Sequence, residues 1–249
     1  MVIRRIIIII NEYKYCRHIN SNIIMKIFVL HYSKLTQRKR FILEQFERHG
    51  ITEYEFIERF DKDEITDDDC PEFSENYVTH RRKELSLHLK HLYVYRWMEK
   101  NADGDGDGED VLVFEDDVVL SPDFMNTLKK YMTQLPNEYD MLFIGDGCNL
   151  HIPKYMQAPH QYVYKKCLHE TAWGGNGAAR CTDSYVIHTR CAKKICDYVA
   201  NLKSKIDSPN GGVDWWLNDV ARDISLKVYW AEPTIVTQGS QIGLFSRSI

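Results

Sequence analysis

The chain has 249 residues, 44% hydrophobic and 27% charged, enough apolar side chain for one substantial core and too much for a disordered tail. With 32 Lys and Arg against 36 Asp and Glu, the net charge is −4, and no basic stripe offsets it, which argues against an electrostatic grip on nucleic acid. The 7 cysteines (16, 70, 148, 167, 181, 191 and 196) form no Cys-x-x-Cys pair, so neither a disulfide framework nor a structural zinc is expected, and a reducing, cytoplasmic location fits best.

In chain order, Arg4 and Arg5 precede a run from Ile6 to Ile10 that breaks at Asn11 and Glu12. That run is too short for a membrane span, and no small-residue cleavage site follows it. Residues 1–24 therefore read as a dispensable extension and 25–249 as the working domain. Ile27–Leu30 is a buried strand, and Thr36–His49 has helical spacing and stops at Gly50, a C-cap residue. Arg81–Lys100 repeats the helical spacing, whereas Val111–Phe114 is a four-residue apolar run suited to a strand covered on both faces. Ser121 and Pro122 read as N-cap and first position of a helix continuing to Leu135. Met141–Ile144, Tyr185–Ile187 and Lys227–Trp230 are further strands, and Cys191–Leu202 and Asp214–Ala221 further helices. The alternation predicts an α/β sandwich with a largely parallel sheet and a ligand crevice beyond the strands' C-terminal ends.

The strand Val111–Phe114 runs straight into Glu115, Asp116 and Asp117. Three consecutive carboxylates repel one another unless a cation or hydrogen-bond donors compensate them. Mg²⁺ and Mn²⁺ take oxygen ligands, often one or two carboxylates completed by phosphate oxygens and water, which points to a metal–diphosphate site. An acidic strand-to-loop transition in which one Asp caps a turn is the other reading.

Asp214 follows Gly211, Gly212 and Val213 and opens a helix, which suits a general base or a plain helix N-cap; Asp183 and Asp223 are the next candidates for a base. Trp215 and Trp216 cannot both point inward, so one belongs to the core and the other is open to a ligand or a protein contact. Arg38 and Arg40 suit a diphosphate or a solvated helix start. His88 and His91 stand at i, i+3 and read better as a polar helix face or as buried hydrogen-bonded imidazoles than as a metal pair. Gly174–Gly177 lacks the Gly-Lys-Ser/Thr of a phosphate loop and reads as a turn or active-site loop. Asp103–Gly108 copies half of a calcium loop, but its twelfth position is Phe114, so a solvated connection is expected.

From Met25 to about Gln238 the order of parts resembles the family 25 glycosyltransferases. The matching residues are Val29–Ser33 with Arg38 and Arg40, Tyr54–Ile57, Glu84, His91-Leu92 with Trp97, Glu115-Asp116-Asp117, Met141–Gly145, Tyr185–Ile187, Val213-Asp214 and Pro233–Gln238. His31-Tyr32 stands where the family commonly has Asn-Leu, and Lys90 where a Ser usually precedes the His. The resemblance implies a GT-A fold, a nucleotide-sugar-binding sandwich. It also implies transfer of glucose or galactose from UDP-glucose or UDP-galactose, with inversion, to a glycan or glycosylated collagen-like acceptor, in a chain that could pair as a homodimer. His31, Ser33, Arg38, Glu84, His91 and Asp116 would bind the donor, and Glu115, Asp117 and Gln238 would hold Mn²⁺ or Mg²⁺. Asp214 would deprotonate the acceptor. Two rival classes share these residues: a metal-dependent hydrolase of a phosphoester or glycoside, and a non-catalytic UDP-sugar-binding module.

Overall fold

The computed structural model describes residues 25–102, 108–147, 149–167, 180–207 and 212–246. The leader, most of the acidic Gly repeat at 103–107 and the Gly174–Gly177 loop with Trp173 lie outside the described residues.

The chain opens with β1 (Lys26–Leu30), α1 (Thr36–His49) and β2 (Tyr54–Ile57). As the sequence predicts, α1 stops at Gly50, whose φ of 65° is left-handed and costs glycine little. Two helices follow, α2 (Glu75–His80) and α3 (Arg82–Lys100), then β3 (Asp110–Glu115), β4 (Val118–Leu120) and α4 (Phe124–Met132). Next come β5 (Met141–Phe143), β6 (Val163–Lys165), β7 (Ser184–His188), α5 (Thr189–Ala200), α6 (Val213–Asp223), β8 (Val228–Ala231) and β9 (Val236–Gln238).

The strands form a seven-stranded sheet in the order β2-β1-β3-β7-β5-β8-β6, and β4 pairs with β9 in a two-stranded sheet. β1, β2, β3, β5 and β8 run one way, so the main sheet is largely parallel, as expected for an α/β chain. β7 and β6 run against them, β7 lying between β3 and β5. Along β3 the side chains alternate between two apolar layers. Val111 and Val113 pack with α3, α5 and α6, and Leu112 and Phe114 with α1 and α4. A strand buried on both faces must be continuously apolar, which is why Val111–Phe114 shows no alternation of its own.

Two helix starts differ from expectation. Ser121 does not cap α4, because its N–H donates to the Ile235 carbonyl at 3.0 Å and extends the β4–β9 ladder; the helix starts at Phe124, after Asp123. α6 starts at Val213 with Gly212 as its N-cap, so Asp214 lies inside the first turn and is not the cap.

Candidate active site

Chemistry-bearing groups gather at one end of the sheet. His31 follows β1, Glu115 closes β3, Gly145 and Asp146 follow β5, and Asp183 leads into the antiparallel β7. Pairing of Phe114 with Ser184 brings β3 and β7 together, and the Glu115 N–H donates to the Asp183 carbonyl at 2.8 Å.

The three carboxylates of the acidic motif have different surroundings. Asp116 is buried, and protein donors engage both its oxygens. His31 Nδ1 donates to Oδ2 at 2.8 Å, the Tyr32 N–H to the same oxygen at 3.2 Å, and Arg38 Nη1 to Oδ1 at 2.7 Å. Burial pushes its pKa up, but His31 and Arg38 outweigh that, and it lies below the ordinary aspartate value. Asp117 is buried too, with Arg38 Nη1 at 3.8 Å and the Ser240 N–H at 3.4 Å, while its Oδ1 has no partner among the described residues. Burial, reinforced by the charge of Asp116, raises its pKa. Glu115 accepts from the Thr182 hydroxyl at 3.0 Å, and burial, followed by the charges of Asp117 and Asp183, pushes it well above the usual range.

Asp183 is fully buried. Its Oδ2 accepts from the Ser184 hydroxyl at 2.8 Å and its Oδ1 has no partner among the described residues. Burial above all, with Asp117 and Asp146 nearby, lifts its pKa to about 7. Room for this carboxylate comes from Gly145, where a Cβ would stand 2.2 Å from Asp183 Oδ2.

The remaining candidates fall into place around this cluster. Arg38 lies between Asp116 and the C-terminal segment, donating from Nη2 to the Ser246 carbonyl at 2.9 Å, with Phe245 against its guanidinium. Arg40 is exposed. Gln238 ends β9 opposite Val118, and its side-chain carbonyl accepts from Gln241 Nε2 at 2.6 Å. The next residue, Gly239, donates its N–H to the Asp117 carbonyl at 2.7 Å. Ser33 is exposed, and its N–H donates to Asp61 Oδ2 at 3.0 Å. Glu84 sits in the first turn of α3, paired with Arg81 at 3.2 Å.

His91 is fully buried beneath the site, bonded through Nδ1 to the Tyr185 hydroxyl at 2.7 Å, and burial drives its pKa down to about 3. His88 is also fully buried, 4.4 Å from the Trp216 ring, so of the two readings left by the sequence both rings are enclosed imidazoles and not a polar helix face. Trp216 belongs to the core and Trp215 is 46% exposed. Asp214 lines a small cavity with Lys166, Asn218, Phe143 and Trp230. Burial raises its pKa, and its charge adds to the repulsion on Glu115.

Sequence reasoning thus brings His31, Arg38, Asp116, Asp117 and the Gln238 turn into one neighbourhood. It overlooked Asp61, Asp146 and Thr182, and gave Asp183 only a reserve role. The signal for Asp183 was a second carboxylate abutting a buried strand, Tyr185–Ile187.

As a class, this is an α/β protein whose acidic site lies where open sheets of this kind bind ligands, beyond the C-terminal ends of the parallel strands. Residues 24–209 match the model of glycosyltransferase family 25 (LPS biosynthesis protein), and the chain belongs to that family. It is 30% identical over 128 residues to a protein of Acanthamoeba polyphaga mimivirus that carries a glycosyltransferase name; the match covers 50% of this chain and 38% of that protein. Among solved structures it is similar to a glycosyltransferase involved in the glycosylation of the major capsid of PBCV-1. That likeness has a TM-score of 0.45 at 12% identity and covers 86% of this chain and 93% of the other.

Proposed function

We propose that this chain is a metal-dependent glycosyltransferase that moves glucose or galactose from a UDP-sugar to a hydroxyl of a glycan or collagen-like acceptor, with inversion. The observation that carries the reading, beside the family, is the set of buried carboxylate oxygens without partners at the strand ends: Asp117 Oδ1, Asp146 Oδ1 and Asp183 Oδ1. Buried anionic oxygens are costly unless a cation or a proton meets them. Among the described residues, no three His, Cys, Asp or Glu side chains are arranged to hold a metal ion. A metal held largely by its substrate needs no such cluster: Mn²⁺ and Mg²⁺ take one or two carboxylates and complete their shell with diphosphate and water. Asp117, through that Oδ1, Glu115 and the Gln238 side-chain carbonyl are the protein ligands in this reading. Asp116, with both oxygens engaged, anchors the motif to the β1–α1 loop instead. When bound, the metal supplies positive charge to the departing diphosphate.

Asp214 takes the proton from the acceptor hydroxyl as that oxygen bonds to the sugar's anomeric carbon. The bond from that carbon to the diphosphate oxygen breaks in the same displacement, and UDP departs with the electron pair. The raised pKa of Asp214 strengthens it as a base, and the exposed ring of Trp215 beside it offers an acceptor sugar a face to stack on. Among the described residues, no helix is long and apolar enough to cross a membrane.

The test is UDP release from UDP-glucose and UDP-galactose, with water as a slow acceptor, in Mn²⁺ and in excess chelator. Metal-dependent UDP release from one of these donors is expected. Donor binding without turnover would favour a binding module, phosphate release a hydrolase, and an undiminished rate in chelator would remove the metal from the reading.

A further inference from the structure

Lys90, on α3, is 3% exposed. Its ammonium donates to the carbonyls of His31 at 2.8 Å, Arg59 at 2.9 Å and Ile57 at 3.3 Å, and to Asp61 Oδ1 at 2.7 Å. Asp61, 2% exposed, accepts the Ser33 N–H on its other oxygen at 3.0 Å. Burial pushes the Asp61 pKa up, but the bonds from Lys90 and Ser33 reverse this and leave it below the ordinary value; burial lowers the Lys90 pKa, and the bond to Asp61 offsets part of that.

A buried ion pair is a poor way to add stability, because desolvation offsets most of its attraction and apolar side chains of similar volume often do as well. What this pair does is geometric. Its bonds join the end of β1, the end of β2 and the segment after β2 to residues 31–33 of the β1–α1 loop. Asp116 holds the same loop from the other side through His31 and Tyr32. The Tyr32 and Ser33 N–H groups are both committed to carboxylates, so this loop is no cradle for phosphate. What it leaves accessible is the exposed Ser33, a group suited to the hydroxyls and edges of a nucleoside, beside the half-buried Tyr32, whose hydroxyl donates to Asp63 Oδ2 at 2.6 Å.

We infer that Lys90 and Asp61 are positioning residues for donor recognition: they fix residues 31–33 in the shape that receives the nucleoside half of the donor. The inference rests on the UDP-sugar reading above, but its first test does not.

In Lys90→Met, amide hydrogen exchange of residues 31–35 in the ligand-free full chain should speed up at least tenfold, with β3 amides unchanged within twofold. The KM for the UDP-sugar should rise at least tenfold while kcat stays within threefold. Lys90→Met/Asp61→Leu removes both charges, so stability should recover towards the parent, but it also takes the acceptor from the Ser33 N–H, so KM stays high. It also carries the test should the single variant not fold. Recovery of KM along with stability in the double variant would make the pair merely structural, and unchanged loop exchange in Lys90→Met would overturn the inference outright. A parent chain that binds no UDP-sugar would defeat the functional reading, while the exchange result would still decide whether the pair sets the loop.

Discussion

Asp116 and Asp117 are neighbours in sequence, and the same substitution should act on them in opposite ways. Asp116→Asn replaces one acceptor oxygen with an NH₂ that must face either the His31 Nδ1–H or the Arg38 guanidinium, both donors held at 2.7–2.8 Å. Removing one partner of a buried ion pair costs about 3–5 kcal/mol, and because Asn keeps one acceptor the lower end applies, about 3 kcal/mol. For a chain of this size that corresponds to a fall in Tm of roughly 6–12 °C. The pH dependence follows from the direction of the shift. The folded pKa of Asp116 is depressed, so its contribution is full well above the unfolded value of about 3.9 and is lost as pH falls through the folded pKa. The gap between parent and Asp116→Asn should therefore close on acidification. Asp117 has a raised pKa, so its charge is a liability above that pKa, and Asp117→Asn should cost little or stabilise the apo protein. Urea denaturation followed by tryptophan fluorescence at neutral and acid pH measures both. An Asp116→Asn variant as stable as the parent, or an Asp117→Asn variant that loses more than it, would refute this division of roles.

Asp214→Asn should lower acceptor transfer by about a hundredfold or more in kcat while UDP-sugar affinity by calorimetry stays unchanged; normal transfer would move the base elsewhere. The substitution is clean because the α6 cap is Gly212. Gly145→Ala places a Cβ 2.2 Å from Asp183 Oδ2 and 2.5 Å from Ser184 Oγ, and should cost about 1–3 kcal/mol in chemical denaturation. Asp183→Ala in the same chain should recover part of that loss, and simple additivity would show that the carboxylate is not what Gly145 accommodates. Deleting residues 1–24 should leave a folded chain with the parent's Tm within a few degrees. An insoluble truncation would make the leader part of the fold.

Much of this was legible in one dimension. Helix α1 and its Gly50 stop, the two-faced burial of β3 and the carboxylates at its end follow from spacing and residue type, which act within a turn or a strand. The β4–β9 ladder was not, because each strand is three residues long and the pairing spans more than a hundred positions of chain. The ladder also ties down Ser121, a good cap by type, whose N–H donates to the Ile235 carbonyl just past the end of β4.

By itself the sequence determined the types of the longer elements, the run of carboxylates at a strand end and the family. Tertiary structure alone decided what each carboxylate does. Glu115, Asp116 and Asp117 are chemically near-equivalent, and they diverge only because Arg38 and His31, 78 and 85 residues away from Asp116, reach that one side chain. Likewise, Lys90 shows in the sequence only as a departure from the family pattern, and the folded chain gives it carbonyls and a carboxylate to hold. Local periodicity fixes which face a residue presents. The charge that face tolerates depends on solvent exclusion and on donors brought from distant segments, and these exist only once the chain is packed.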